Sequence, residues 1–194
     1  MQQQGKFLLL TPAEFAQWID GLKINRTIKL IQNHHTWLPN YSTFTKSKNH
    51  FKMLISMENS HKERGFTQIA QNLTTFPDGS IAVCRPFDDI PAGIKGANGN
   101  GICIEHIGNF DSGKDTMTKA HRDTIVKVNA WLCKKFKLPV NSASVVYHHW
   151  YDLTTGKRVK EGSPNTKTCP GTNFFGGNTV TACEQNFIPL IKAI

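Results

Sequence analysis

The sequence predicts an α/β fold in which helices flank a central mixed β-sheet. Short apolar runs typical of strands alternate along the chain with longer stretches of helical periodicity, which is the pattern of α/β proteins. A hydrophobic content of 39% with 19% charged residues is typical of a globular protein. The 194 residues contain no internal repeat and no linker-like segment. We therefore expect one domain over residues 1–194.

The first predicted helix covers about residues 11–22. Thr11 can cap its N-terminus, Pro12 suits the first helical position, and Glu14 completes a capping box. Gly21 is suited to the end of this helix. Apolar side chains recur at helical spacing, at Phe15, Trp18, Ile19 and Leu22.

The remaining elements follow in alternation, with a turn signal at residues 77–79 and glycine-rich or polar loops at residues 91–101 and 154–167. Apolar runs predict strands at residues 28–31, 69–76, 80–84, 101–105 and 144–147. Helical periodicity predicts helices at residues 50–64, 118–136 and 180–191.

The chain carries a formal net charge of +9, which favours an anionic partner. Its basic residues are spread from Lys6 to Lys192 without a dense run, so we expect no nucleic-acid partner. The other anionic partners that this charge would attract are an acidic membrane surface and a bacterial cell wall rich in carboxylates and phosphates. We expect the protein to be a monomer.

The N-terminus, residues 1–6, does not resemble a secretory signal, and the apolar run at residues 7–10 is too short for one. No segment reaches the roughly twenty apolar residues of a membrane-spanning helix. We therefore expect synthesis in the cytoplasm, no membrane insertion, and delivery by another route if the protein acts outside the cell. The five cysteines are an odd number and widely spaced, which indicates no disulfide framework.

Candidate metal ligands stand where a sheet would bring them together. A catalytic zinc ion usually has three protein ligands and an open fourth position for water. A lone histidine at a strand end is more often structural, but two histidine pairs and a cysteine in a Cys-Pro-Gly turn favour one zinc site. Either histidine of the second pair could be the ligand. The candidates are His34 with His35 after the first strand, His148 with His149 after the strand at 144–147, and Cys169.

Glu105 ends the apolar strand at residues 101–105. Partial burial raises the pKa of a carboxyl group towards neutral pH, which suits a general base. Lys167 could donate to a developing oxyanion, although a surface lysine is the stronger interpretation from the sequence alone. The other histidines have no defensible ligand spacing and are predicted to be structural or solvated: His50, His61, His106 and His121.

In combination and in order, these residues resemble the zinc-dependent N-acetylmuramoyl-L-alanine amidases, the family shared by phage lysozyme-like amidases and peptidoglycan recognition proteins. The resemblance covers about residues 28–175 and points to the branch that uses a catalytic glutamate. It rests on Ile31-Gln32-Asn33-His34-His35-Thr36, Ser60-His61-Lys62-Glu63-Arg64-Gly65-Phe66, Ile69-Ala70-Gln71-Asn72-Leu73, Pro77-Asp78-Gly79-Ser80-Ile81, Gly101-Ile102-Cys103-Ile104-Glu105, Val145-Val146-Tyr147-His148 and Lys167-Thr168-Cys169-Pro170-Gly171.

The resemblance implies hydrolysis of the amide between N-acetylmuramic acid and L-alanine of the peptidoglycan stem peptide. It implies that zinc, held by His34, His148 and Cys169, polarises the carbonyl and activates water. Glu105 is then the base that passes the proton to the leaving amine, and Lys167 stabilises the oxyanion. The family pattern favours His148 over His149 as the ligand.

The chain departs from the family pattern at the position of a catalytic tyrosine, which is Gln71 here, and in a longer loop between residues 148 and 167. We expect His35, Trp37, Gln71 and Trp150 to lie in the substrate groove, with core packing as an equal alternative for Trp37. Two other functions remain open: a non-catalytic peptidoglycan-binding protein, and a zinc peptidase of the stem peptide.

Overall fold

The computed structural model describes residues 1–194 and contains one seven-stranded sheet. Across the sheet the strands lie in the order β1-β2-β5-β4-β6-β3-β7. Their bounds are β1 Gln2–Gln4, β2 Phe7–Leu10, β3 Leu30–His35, β4 Leu73–Thr75, β5 Ile81–Val83, β6 Gly101–His106 and β7 Val145–Tyr147.

Strand direction divides this sheet into two halves. Strands β4, β6, β3 and β7 run parallel to one another, whereas β5, β2 and β1 form an antiparallel meander at the other end. The prediction of a single α/β domain with a mixed sheet is therefore confirmed. The carboxyl ends of the four parallel strands meet at one edge, which is where ligand sites form in parallel sheets.

The helices cover both faces of the sheet. Thr11 caps the first one, and its backbone N–H donates to the Glu14 carboxylate, so the predicted capping box is present. The helices are α1 Pro12–Gly21, α2 Tyr41–Ser47, α3 His50–Glu63, α4 Lys119–Phe136, α5 Val180–Ala182 and α6 Ile188–Lys192, with a π-helical segment Cys183–Phe187 between the last two and 3₁₀ turns at His148–Trp150 and Phe174–Gly176.

Two hydrophobic clusters lie on opposite faces of the sheet. The larger one joins α1, α4 and the C-terminal helices to the sheet, and includes Phe15, Ile104 and Leu132. The smaller one packs α3 on the other face through Met53 and Leu54. All five cysteines are buried and free. No helix combines the length and the apolar character that crossing a bilayer requires.

The structure corrects several predicted bounds. β3 begins two residues later than predicted and continues through His35, because both histidines of the pair are buried in the sheet. The strand predicted at residues 69–76 is shorter. The N-terminal hairpin β1–β2 and helix α2 were not predicted, because β1 consists of exposed glutamines and α2 has no buried side chain. The last helix is interrupted by its π-helical segment.

Candidate metal centre and groove

The register of the parallel strands places two of the predicted site residues side by side. His34 in β3 is the cross-strand neighbour of Glu105 in β6, and Thr74 in β4 is the next neighbour in the same row. In-register side chains of adjacent strands point to the same face of a sheet. His34 and Glu105 therefore face the same side, that of α3, near the carboxyl ends of their strands.

His148 and Cys169 complete a cluster of three buried side chains with His34. The Nδ1 atoms of His34 and His148 lie 3.2 Å apart, and Cys169 Sγ lies 3.5 Å from His34 Nδ1. All three candidate ligand atoms lie within 4.8 Å of one another. A tetrahedral zinc ion with ordinary Zn–N and Zn–S bonds separates its ligand atoms by about 3.3–3.6 Å. The two measured spacings thus fit a zinc ion.

Backbone contacts around Cys169 fix the loop that carries it. The His149 N–H donates to the Cys169 carbonyl at 2.7 Å, and the His149 Nδ1 atom lies 2.6 Å from the Lys167 carbonyl oxygen. The Asn178 amide donates to the Thr168 carbonyl at 2.8 Å. Of the paired histidines, only His148 belongs to the cluster, whereas the ring of His149 is turned towards the loop backbone.

The environment keeps the cluster's imidazoles neutral. Burial lowers the pKa of His34 well below its ordinary value, and the charges of His148 and other basic neighbours lower it further. Burial, assisted by the charge of Lys167, lowers the pKa of His148 to about 4. Burial raises the pKa of the Cys169 thiol. Two neutral imidazoles and one thiol form a donor set that zinc favours, and binding would displace the thiol proton.

Glu105 lies beside this cluster, and its carboxyl group is buried and has a raised pKa. Its Oε2 atom is buried and has no hydrogen-bond partner in the protein. Burial raises its pKa to about 8, although the positive charges of Lys167 and Arg64 act in the opposite direction. A carboxyl group with a pKa near neutrality can both accept and return a proton.

A groove of about 940 Å³ opens over the cluster and Glu105. Lys167, His35 and Trp37, three of the residues predicted for catalysis or substrate contact, line it. Trp37 is 57% exposed and adopts the left-handed conformation at φ 57°, which is uncommon for a residue other than glycine. Strained backbone of this kind concentrates at functional sites.

Two residues that we expected in the groove do not line it. Gln71 is fully buried before β4, where its amide donates to Thr74 Oγ1 at 2.9 Å. Trp150 is buried in the 3₁₀ turn, and its indole N–H donates to the Asn178 carbonyl at 2.7 Å. Both side chains are held inside the protein by packing and a hydrogen bond.

Helix α3 contributes a groove wall that the sequence pattern did not predict. Ser56 and Ser60 of the helix and Arg64, the residue that caps its C-terminus, recur every four residues and line the groove in one stripe. His61, which we predicted to be structural, also lines it, while its Nδ1 accepts from the Ala70 N–H at 3.0 Å. The four-residue spacing of these polar residues is present in the sequence, but it does not by itself show that they face a groove.

Two of the other histidines, His106 and His121, form hydrogen bonds with buried polar groups on the opposite face of the sheet. His106 Nδ1 and His121 Nε2 lie 2.8 and 2.7 Å from the hydroxyl of Thr75. His106 Nε2 reaches the Asn33 side chain, and His121 Nδ1 reaches the hydroxyl of Tyr41. These histidines are structural, as predicted, and link the sheet to α2 and α4.

A family model described as N-acetylmuramoyl-L-alanine amidase matches residues 24–172. No curated protein matches the chain in sequence.

Solved structures with a similar fold include the N-acetylmuramoyl-L-alanine amidase LysC from Clostridium intestinale URNW, with 20% identity, a TM-score of 0.57, and coverage of 87% of this chain and 85% of that chain. Drosophila PGRP-LB has 21% identity, a TM-score of 0.58, and coverage of 84% and 82%. Drosophila PGRP-SA, a peptidoglycan recognition protein, has 17% identity, a TM-score of 0.61, and coverage of 88% and 89%. At these identities the likeness concerns the fold.

Proposed function

Because the chain belongs to the N-acetylmuramoyl-L-alanine amidase family, we propose that it is a zinc-dependent enzyme that hydrolyses the amide bond between N-acetylmuramic acid and L-alanine in peptidoglycan. The observation that carries this proposal is the convergence of His34, His148 and Cys169 beside Glu105 in one groove. A cluster of neutral nitrogen and thiol donors with a free carboxyl group next to it is what metal-assisted hydrolysis requires.

All three candidate ligands line the groove, so a metal ion held by them would be accessible to a substrate bound there. When bound there, zinc supplies Lewis-acid polarisation of the scissile carbonyl and of water. Gly93 packs against the His34 ring, since a Cβ atom at this position would lie 3.0 Å from Nε2. This packing keeps Nε2 away from solvent and leaves Nδ1 as the ligand atom that faces the other two.

Glu105 acts as the general base. Its carboxylate accepts a proton from the attacking water and returns it to the nitrogen of L-alanine as the C–N bond breaks. The unpartnered Oε2 atom supports this role, because no hydrogen bond inside the protein competes for its lone pairs. A positive charge held by the neighbouring ligands would lower the pKa of Glu105 from about 8 and so favour the ionised form.

Lys167 stabilises the oxyanion that forms on the carbonyl oxygen. Its side chain is exposed and lines the groove, and its positive charge is felt at both His34 and Glu105. A cation so close to the reacting atoms favours the transition state, in which negative charge develops on oxygen. We assign Trp37 and His35 to the walls that contact the substrate.

The principal alternative is a protein that binds peptidoglycan without cleaving it, since some of the similar folds are peptidoglycan recognition proteins. The complete donor set and the free Glu105 carboxyl favour hydrolysis. A zinc peptidase of the stem peptide would use the same groups and differs only in the bond cleaved. We further propose that the protein acts on the cell wall after release or export.

Mass spectrometry of muropeptides after digestion tests the proposal. We expect stem peptides with a free L-alanine amine and glycan without peptide, and no such products from a Glu105→Gln protein. Shortened stems still attached to the sugar would identify a peptidase. Binding of peptidoglycan without any cleavage by the zinc-loaded protein would identify the non-catalytic alternative.

A further inference from the structure

A second pocket, of about 540 Å³, lies between α2 and α3. It shares Thr43, Met53 and Ser56 with the groove, so the two cavities are continuous along α3. It is lined by Ser42, Thr43, Lys46, Ser47, Asn49, Lys52, Met53 and Ser56. The pocket therefore extends the groove away from the metal cluster.

The charged side chains that line this pocket are all basic. Lys46 and Lys52 are exposed and line it, and no carboxylate does. Neither lysine takes part in any of the five ion pairs of the protein. Glu58, the nearest acidic residue of α3 along the chain, is held by Lys6 and Lys62. Two ammonium groups that belong to no ion pair thus line the pocket, and no carboxylate of the lining compensates their charge.

The neutral groups of the pocket add hydrogen-bond donors. The hydroxyls of Ser42, Ser47 and Ser56 make no hydrogen bond within the protein, although the Thr43 hydroxyl donates to the Asn40 side chain. The side-chain Oδ1 atom of Asn49 accepts from the Lys52 backbone N–H at 2.9 Å, which leaves the side-chain NH₂ group of Asn49 free to donate. Lysine with hydroxyl and amide donors suits a phosphate with several acceptor oxygens.

We propose that this pocket binds a phosphate group of an anionic phosphodiester polymer attached to the peptidoglycan. No aromatic ring lines the pocket, so it lacks the flat apolar face on which a neutral sugar would stack. The net charge of +9 favours the approach of such a polymer. The attachment of this polymer to the cell wall rests on the proposed function. The binding of phosphate by the pocket is independent of the proposed function.

The experiment measures binding of a poly(glycerol phosphate) oligomer by calorimetry at low salt. Lys46→Gln combined with Lys52→Gln should weaken this binding about 2- to 30-fold, as expected for two exposed charge pairs. The matched control, Lys29→Gln with Lys134→Gln, removes the same charge from two exposed lysines that do not line the pocket. The control should bind the oligomer as the wild type does.

Each other outcome overturns part of the proposal. Equal binding by the wild type and the pocket variant, or equal loss in the control, would show that the pocket does not recognise the polymer. Inorganic phosphate binding as tightly as the oligomer would assign the site to free phosphate. Loss of binding to phosphate-free peptidoglycan in the pocket variant would make the pocket a muropeptide site. Failure of the wild type to cleave a soluble phosphate-free muropeptide would refute the amidase, while oligomer binding remains a separate measurement.

Discussion

Replacing Glu105 by Gln removes the proposed base and leaves the three clustered side chains unchanged. The two side chains have nearly the same shape, and Glu105 is not one of the three clustered ligands. Zinc content should therefore stay the same. General-base catalysis contributes about 10²–10⁴-fold, so turnover of muropeptides should fall by this factor, equivalent to about 3–5 kcal/mol in activation free energy.

The same substitution has a second signature in protein stripped of zinc. Burial raises the pKa of Glu105 from 4.5 to about 8, so the folded chain holds a proton that the unfolded chain has lost between these pH values. Stability is therefore lost as the pH rises through this window, by about 3 kcal/mol at pH 7. Gln cannot ionise, so the free energy of unfolding of the variant should gain about this amount over the wild type between about pH 4 and pH 7.

Denaturant titrations with a chelator, muropeptide mass spectrometry and elemental analysis measure the three quantities. Glu63→Gln is the matched control, because Glu63 is exposed, forms no ion pair and lies outside the groove. Unchanged turnover in Glu105→Gln would remove this residue from the mechanism. A stability difference that does not vary with pH would show that the carboxyl group is not perturbed by burial.

The other predictions concern the ligands, the buried network and the groove. Cys169→Ala should reduce bound zinc in elemental analysis from about one ion per chain to almost none, and stoichiometric zinc would remove the thiol from the site. His148→Ala should also lose zinc while His149→Ala retains it; the opposite result would exchange their roles. Burial lowers the pKa of His121 to about 3, so its contribution to stability is lost as the pH falls from about 6.5. His121→Gln should flatten this acid dependence in denaturant titrations, and an unaltered slope would contradict the argument. Trp37→Ala should raise KM for muropeptides about 2- to 10-fold with little change in stability, because the side chain is 57% exposed; an unchanged KM would exclude substrate contact.

The part of the site that could be predicted from the sequence lies at the ends of strands. Residues that follow neighbouring parallel strands are brought to one edge whatever the details of packing, and His34, Glu105 and His148 all stand there. Cys169 follows a long loop whose course no periodicity describes. Its place beside His34 depends on hydrogen bonds from His149 and Asn178 to the loop backbone, which only the folded structure reveals.

The groove walls could not be predicted in the same way. A sequence pattern gives the period of an element, whereas the direction of a side chain outside regular structure depends on its partners. Gln71 precedes β4 and turns inward to Thr74, and Trp150 turns inward to Asn178. The stripe that brings Arg64 to the groove becomes meaningful only once α3 is known to pack beside the cluster.

The same burial that prepares the site destabilises it in the absence of a cation. Glu105 Oε2 and His34 Nε2 are both buried without a partner, and unpaired polar atoms of this kind oppose folding. His106 and His121, on the opposite face of the sheet, have hydrogen-bond partners at both ring nitrogens. A positive charge among the three ligands would stabilise the ionised carboxyl, which lies next to them in the sheet. The three clustered side chains could hold such a cation, and a cation that binds the folded chain would add to its stability.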